Sequence, residues 1–253
     1  MPGPAGRPGP LVFVADLEQP VLDDEDRHHL VRVLRLGPGD PLTVADGAGR
    51  WRPCRFGPEP EPDGPVEVEA APSPAITVAF APVKGDRPEW VVQKLTELGV
   101  DRIVPFVAAR SVVRWEGDRA ARQVDRLRRV AREAAMQCHR ARLPEVAPLA
   151  AFADVAGLAG AAIADLGGGP PSLDHPVVLV GPEGGWADEE RAVRLPAVAL
   201  GGAVLRAETA AVTAAALLAA LRTGLVAPAA VPTAECGEGP GKRVECAPPV
   251  TKE

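Results

Sequence analysis

Tyrosine is absent from this 253-residue chain, and lysine is nearly so: of 28 basic residues four are Lys (84, 94, 242 and 252), leaving 24 Arg. With alanine and proline abundant, that bias reads as the codon usage of a GC-rich genome. The chain has no apolar run of 18 residues, which excludes a membrane-spanning helix. The opening MPGPAGRPGP has no apolar core after a basic end, which argues against a secretory signal. Four scattered cysteines (Cys54, Cys138, Cys236, Cys246) form no CxxC pair. They argue against a disulfide scaffold or zinc ribbon and fit a reducing cytoplasm. The histidines and cysteines show no metal-ligand spacing, so no metal is expected. There is no GxGxxG and no Lys-Ser/Thr loop, which excludes a dinucleotide fingerprint and a P-loop.

What is present is globular in composition, 46% hydrophobic and 25% charged, with a net charge of −6. The charge is uneven. Between Arg110 and Arg142 ten arginines face Glu116, Asp118, Asp125 and Glu133, a local excess of six positive charges. A basic block in an acidic chain is what a polyanion-binding face looks like, although solvated helix faces can also be Arg-rich. A basic stripe on one face is expected from it.

The pattern divides the chain into four parts. Residues 1–10 are Pro/Gly-rich and read as a flexible N-terminus. Residues 11–72 read as a small, mostly β unit. LVFVA is a strand, Asp24 to Leu34 a helix stopped by Gly37-Pro38-Gly39, PLTVADG and RWRPCRF a hairpin turning at Asp46-Gly47, and VEVEA a further strand. Residues 73–227 alternate strands (ITVAFAPV, DRIVPFVA, AAIADLG, VVLVG, AVALG) with helices. One helix starts at Asp86-Arg87-Pro88-Glu89, a long one runs from about 118 to 139, and an Ala-rich one from 208 to 225. That alternation predicts an α/β fold with a parallel sheet and ligands at the strand C-terminal ends. Residues 228–253 have no periodicity and read as a disordered tail.

Two loops carry the sharpest chemical signal. Val177 to Val180 run into Gly181-Pro182-Glu183-Gly184-Gly185-Trp186, and Leu200-Gly201-Gly202 leads through Leu205-Arg206 to Glu208-Thr209. Glycine lets a ligand touch the backbone, so two such loops side by side fit a ligand held by backbone and apolar groups. Each is equally readable as a tight strand-to-helix turn, and Arg206 and Glu208 as an ion pair or as substrate contacts. Lys94 and Glu97 are helical neighbours that fit a salt bridge. Gln137, His139 and Arg140 end the Arg-rich helix, either as caps or as the lining of a cleft.

Taken in order, KGDRPEWVVQKLTELGVDRIVPF, RSVVRW, REAAMQCHRARLPEV, LVGPEGGW and LGGAVLRAETA resemble the blocks of RsmE-type enzymes. These are 16S ribosomal RNA (uracil-N3) methyltransferases of the SPOUT superfamily. The segment HHLVRVLRLGPGD resembles their N-terminal PUA-like domain, and the resemblance spans about residues 11–226. It implies a SPOUT-type methyltransferase domain with a trefoil knot, preceded by a small PUA-like β-barrel and working as a homodimer in the cytoplasm. It also implies S-adenosylmethionine (SAM) as cofactor and the small-subunit rRNA as partner, with a role in ribosome biogenesis. By motif match the cofactor residues are Leu166, Leu179, Gly181, Pro182, Glu183, Gly184, Gly185, Leu200, Gly201, Leu205 and Arg206. Arg206, Glu208 and Glu183 are the catalytic candidates, for charge stabilisation or for handling the N3 proton. His28, His29, Arg32 and Arg35 on the small domain, and Lys84, Arg87, Lys94, Arg110, Gln137 and Arg140 on the large one, are candidates for RNA contact.

The chain departs from the family pattern at Met136, Cys138 and His139, where the block often reads Glu, Ser and Gly. It departs again at Gly202-Ala203, where Pro-Arg is common, and an RNA-facing charge is therefore in question. Two other readings stay open: a SPOUT enzyme acting on another RNA, and a non-catalytic RNA-binding assembly factor on the same fold.

Overall fold

The computed structural model describes residues 6–227. The tail expected at 228–253, with Cys236 and Cys246, lies outside the described residues.

The N-terminal unit is a five-stranded sheet with a short helical arm. β1 (Leu11–Phe13) pairs parallel with β2 (Pro41–Ala45); β2 pairs antiparallel with β3 (Arg50–Arg55), which also takes β4 (Glu61–Pro62) and β5 (Glu67–Val68). The β2–β3 turn is pinned where the sequence places it. Asp46 Oδ1 accepts from the amides of Ala48 and Arg50, and Gly47 takes a φ of 76°. The helix expected over 24–34 is two pieces: α1 (Asp24–His28), then a π-helical turn from His29 to Val33. The strand expected at VEVEA shrinks to Glu67–Val68.

Residues 7–10, read from sequence as part of a mobile terminus, pack against the small unit. Arg7 is 2% exposed, donates to the His139 carbonyl and to Glu69, and lies 4.9 Å from the centre of the Trp51 ring. Thr43 bonds the carbonyls of Pro8 and Pro10. The sequence signal was composition alone, and one buried cation overrides it.

The large unit contains β6 (Thr77–Phe80), α2 (Arg87–Glu97), β7 (Arg102–Val107), α3 (Gly117–Gln137), β8 (Glu145–Val146) and β9 (Ala150–Ala151). These are followed by α4 (Phe152–Ala156), β10 (Ala161–Gly169), β11 (Val177–Val180), α5 (Asp188–Arg191), β12 (Ala197–Val198) and α6 (Ala207–Arg222). Its seven strands form one sheet in the order β12-β10-β11-β6-β7-β8, with β9 on β7, and every pair is parallel. Parallel strands need covered faces, and side chains alternate between them. Val78, Phe80, Ile103, Val178 and Val180 pack under α2, α3 and α6, while Ala79, Val104, Phe106 and Leu179 pack under α4 and Trp186. Among the described residues no helix is long and apolar enough to cross a membrane.

The units are joined through α3. Its Met136 packs against the N-terminal core, and Ala141 is buried with Leu11 and Ala45. That explains one departure from the family pattern, since an apolar side chain at 136 meets an apolar wall. The histidine at 139 has no such explanation in the structure. α3 closes with a turn in which Arg140 N–H bonds the Ala135 carbonyl, His139 N–H bonds that of Met136, and His139 takes a φ of 58°. This is the left-handed cap that favours glycine, which the family pattern often carries there. Arg132 donates two hydrogen bonds, 2.9 and 2.5 Å, to the buried carboxylate of Asp26.

Candidate active site

The C-terminal ends of β10 and β11, the loop after β12 and the start of α6 enclose an open cleft of about 220 Å³. Leu166, Gly181, Pro182, Glu183, Gly185, Leu200, Gly201 and Leu205, the residues singled out by motif, meet in its wall. Three do not. Leu179 is fully buried, because alternation along β11 turns Val180 toward the cleft and Leu179 into the layer beneath α4. Gly184 lies against Arg110, where an added Cβ would sit 3.2 Å from the Arg110 carbonyl. Arg206 stands beside the cleft as the residue before α6, exposed, between the lining residues Leu205 and Ala207.

Trp186 is the residue that motif reading quoted but did not use. Its indole donates to the Ala164 carbonyl (3.0 Å), tying the loop after β11 to β10. It stacks on Phe106 with centroids 6.2 Å apart and tilts against Phe152 at 5.8 Å. A Cβ on Gly181 would meet that indole at 3.1 Å, so glycine there lets the ring pack on the backbone. Gly168 has the same role in β10: an added Cβ would lie 2.5 Å from Val198 backbone atoms. Asp165 and Arg191 also line the cleft and pair at 2.6 Å. Their signal in the sequence was faint: an acid at the end of an apolar strand and a base one helical turn past a loop.

Glu190, 6% exposed, braces the site. One carboxylate oxygen accepts from Ala109 N–H at 2.9 Å and the other from Ala187 N–H at 2.8 Å. It thus joins the loop after β7 to the loop after β11. Glutamine keeps one acceptor and turns an NH2 toward the second amide. We expect Glu190→Gln to lower unfolding free energy in urea by about 2 kcal/mol, the scale of a lost charged, buried hydrogen bond. A change under about 0.5 kcal/mol would refute the brace.

The other catalytic and RNA candidates fall into two groups. Glu183 is exposed on the cleft wall, whereas Glu208 is mostly buried and pairs with Arg87 at 3.5 Å. Lys94 is held by Glu97 at 2.8 Å. Arg140 turns inward, bonding Asp101 at 3.1 Å and the Val100 carbonyl at 2.6 Å, with Arg222 on the same carboxylate. Burial pushes the Arg140 pKa below its ordinary value, partly offset by Asp101. His28, His29, Arg32, Arg35, Lys84, Arg110 and Gln137 remain exposed. Of these, His29 and Gln137 line a second, larger cavity of about 720 Å³ between the N-terminal unit and α3. That cavity is walled by charged side chains, among them Asp23, Glu25, Asp26 and Glu133, and lacks the glycine-lined backbone of the first.

Among the described residues, neither Cys54 nor Cys138 is poised as a nucleophile. Burial pushes Cys54 up to about 11 and raises Cys138 as well, so both stay protonated at neutral pH. Among the described residues no group of three or more metal-ligating side chains gathers.

Comparison with known proteins gives concordant matches. The family model for an RNA methyltransferase domain matches residues 70–219, and that for an RNA methyltransferase PUA domain matches residues 22–58. A Mycobacterium bovis protein named "Ribosomal RNA small subunit methyltransferase E" is 33% identical over 222 residues, covering 77% of this chain and 83% of that protein. The structure of a Neisseria gonorrhoeae protein of the same name, bound to S-adenosylmethionine, superposes with a TM-score of 0.71 at 28% identity. It covers 84% of this chain and 97% of that one. The structure of a Legionella pneumophila protein in complex with SAM gives a TM-score of 0.72 at 26% identity, over 83% and 96% of the two chains.

Proposed function

This chain belongs to the RNA methyltransferase domain family with its matching PUA domain, and from that premise we propose that it methylates N3 of one uridine in the 16S rRNA of the small ribosomal subunit, using SAM. The observation that carries the reading is the cleft at the ends of β10, β11 and β12. It is lined largely by small and apolar residues, its backbone is open to a ligand at Gly201, where an added Cβ would meet nothing within 4 Å, and it presents the exposed carboxylate of Glu183 to a cationic one. Leu166 and Val204 are 54% and 84% exposed at its edge, apolar surface of the kind a bound ligand covers.

SAM, when bound, supplies an electrophilic methyl on a positively charged sulfur. The protein's residues then have four tasks. Leu166, Leu200 and Leu205 give apolar contact, and the Gly201 backbone allows close approach. Glu183 offers a negative charge to the cation, because Asp165 is already held by Arg191. Arg206, exposed at the positive N-terminal end of α6, stabilises the negative charge that develops on uracil O2 and O4 as the N3 proton passes to solvent water and the methyl takes its place. Glu208 holds Arg87 beside that end. The three loops around the cleft are the crossings of the proposed knot. We further infer a homodimer, which would cover apolar side chains such as Val112, 64% exposed, and a cytoplasmic setting where ribosomal subunits are found.

The test is methyl transfer from isotope-labelled SAM to small subunits lacking the native modification, with nucleosides identified by mass spectrometry. Label in 3-methyluridine at one site is the expected result. Label in another nucleoside or another RNA would replace the substrate, and neither transfer nor SAM binding would overturn the enzyme reading.

A further inference from the structure

Three of the cations that the sequence offers for RNA are spent on the protein itself: Lys94 on Glu97, Arg87 on Glu208, Arg140 on Asp101. Arg32, Arg35, Lys84 and Arg110 stay exposed, and a further set of exposed cations stands on one helix. On α3, Arg119, Arg122, Arg126 and Arg129 are all exposed. At 100° per residue they fall within an arc of about 80°, and at 1.5 Å per residue they span about 15 Å. This is the positive stripe expected from the charge block, and it occupies the face opposite the buried Val124, Leu127 and Ala131. Arg126 meets Glu89 at 2.9 Å. Arg119, Arg122 and Arg129 have no carboxylate within salt-bridge distance among the described residues. Of the acids on this helix, Asp125 is taken by Arg128 at 2.8 Å, while Asp118 and Glu133, both exposed, lie one turn from Arg122 and Arg129 and leave the stripe a net positive charge.

Both ends of the stripe lead to places already described. Upstream, α3 follows the segment 108–116, which touches the cleft loop through Ala109 to Glu190 and Arg110 to Gly184, and which carries the exposed Arg114. Downstream, Arg129 lines the inter-unit cavity together with His29 of the π-helical turn, and Arg32 follows on that turn. In chain order the free cations therefore run from the rim of the active-site cleft, along α3, to the N-terminal unit.

We propose that the Arg119–Arg122–Arg129 face of α3 is the docking surface for the phosphate backbone of the substrate RNA, holding it between the N-terminal unit and the cleft. The proposal rests on the RNA methyltransferase reading. Charge complementarity selects the occupant. Arginine forks match phosphate, and a chain with net charge −6 needs a local positive face to hold a polyanion at all. A phosphate track carries no sequence information, so base recognition is left to the cleft.

The test compares the wild type, the triple variant Arg119→Gln/Arg122→Gln/Arg129→Gln and the off-stripe control Arg102→Gln, which stands at the start of β7 beside Glu145, at the strand end away from the cleft. Binding to unmodified small subunits is measured between 50 and 200 mM salt, alongside SAM affinity and thermal stability. For the triple variant we expect binding at least about tenfold weaker at low salt, and a log K against log salt slope shallower by roughly two, since each lost phosphate contact removes about 0.7–0.9 from the slope. SAM affinity and Tm stay at wild-type values. An unchanged slope in the triple variant, or an equal change in the control, overturns the docking surface while leaving a methylating wild type intact. A wild type that neither binds nor methylates rRNA overturns both.

Discussion

Arg206→Ala slows methyl transfer by about 100-fold or more, the usual scale for removing one preorganised donor at a developing negative charge. SAM affinity is expected to change by less than about twofold, because Arg206 stands beside the cleft wall while Leu205 and Ala207 form it. Single-turnover kinetics at saturating RNA separate this from a docking defect: the chemical rate falls, whereas the triple variant on α3 loses binding. Arg206→Lys is expected to restore only part of the rate, since an ammonium keeps the charge but not the donor geometry of the guanidinium. Glu208→Gln supplies the contrast. Its carboxylate engages Arg87, so its loss acts through the position of Arg87 and leaves the pH profile of the chemical rate unmoved. A Glu208→Gln variant as slow as Arg206→Ala, with the pH dependence of the wild type abolished, would make Glu208 the group that handles the N3 proton and would displace Arg206 from the central role.

The sequence carried the site further than it carried the small domain, and the reasons are physical. Strands of the large sheet are buried on both faces, so VVLV and TVAF stand out as unbroken apolar runs. The loops that end them are marked by glycines that the structure requires: Gly181 beneath the Trp186 ring and Gly168 against Val198. Which strand residue faces the cleft was not legible at Leu179. Alternation gives two faces but not which one looks at the ligand. Arginines were the least legible. Arg7, Arg132, Arg140 and Arg222 lie on segments distant in sequence from the carboxylates and carbonyls that hold them, so no local pattern separates them from Arg119 or Arg122, which face solvent. The departure at 136 follows from the packing of α3 on the N-terminal unit, a contact between residues more than 100 positions apart.

That contact makes Arg132→Ala the largest expected loss of stability. Asp26 is 3% exposed and takes both of its short hydrogen bonds from the Arg132 guanidinium, which also donates to the Phe13 carbonyl at 3.3 Å. The Asp26 bond is the main cause holding the Arg132 pKa above its ordinary value. Removing the cation strands a buried carboxylate, which costs about 3 kcal/mol, the low end for a buried pair because Arg132 keeps some solvent. In a chain of this size that corresponds to a fall in Tm of roughly 6–12 °C. The N-terminal unit has a small core of its own and leans on Met136, so its melting is expected to separate from that of the large unit, giving two calorimetric transitions where the wild type gives one. Replacing both partners, Asp26→Leu with Arg132→Met, removes the stranded charge and is expected to recover most of the loss. RNA binding should still suffer in Arg132→Ala with SAM binding preserved, because the cofactor cleft and the inter-unit cavity share no lining residue. A Tm within about 2 °C of wild type would show that the units are held by apolar contact through Met136 and Ala141 and that the ion pair only decorates the joint.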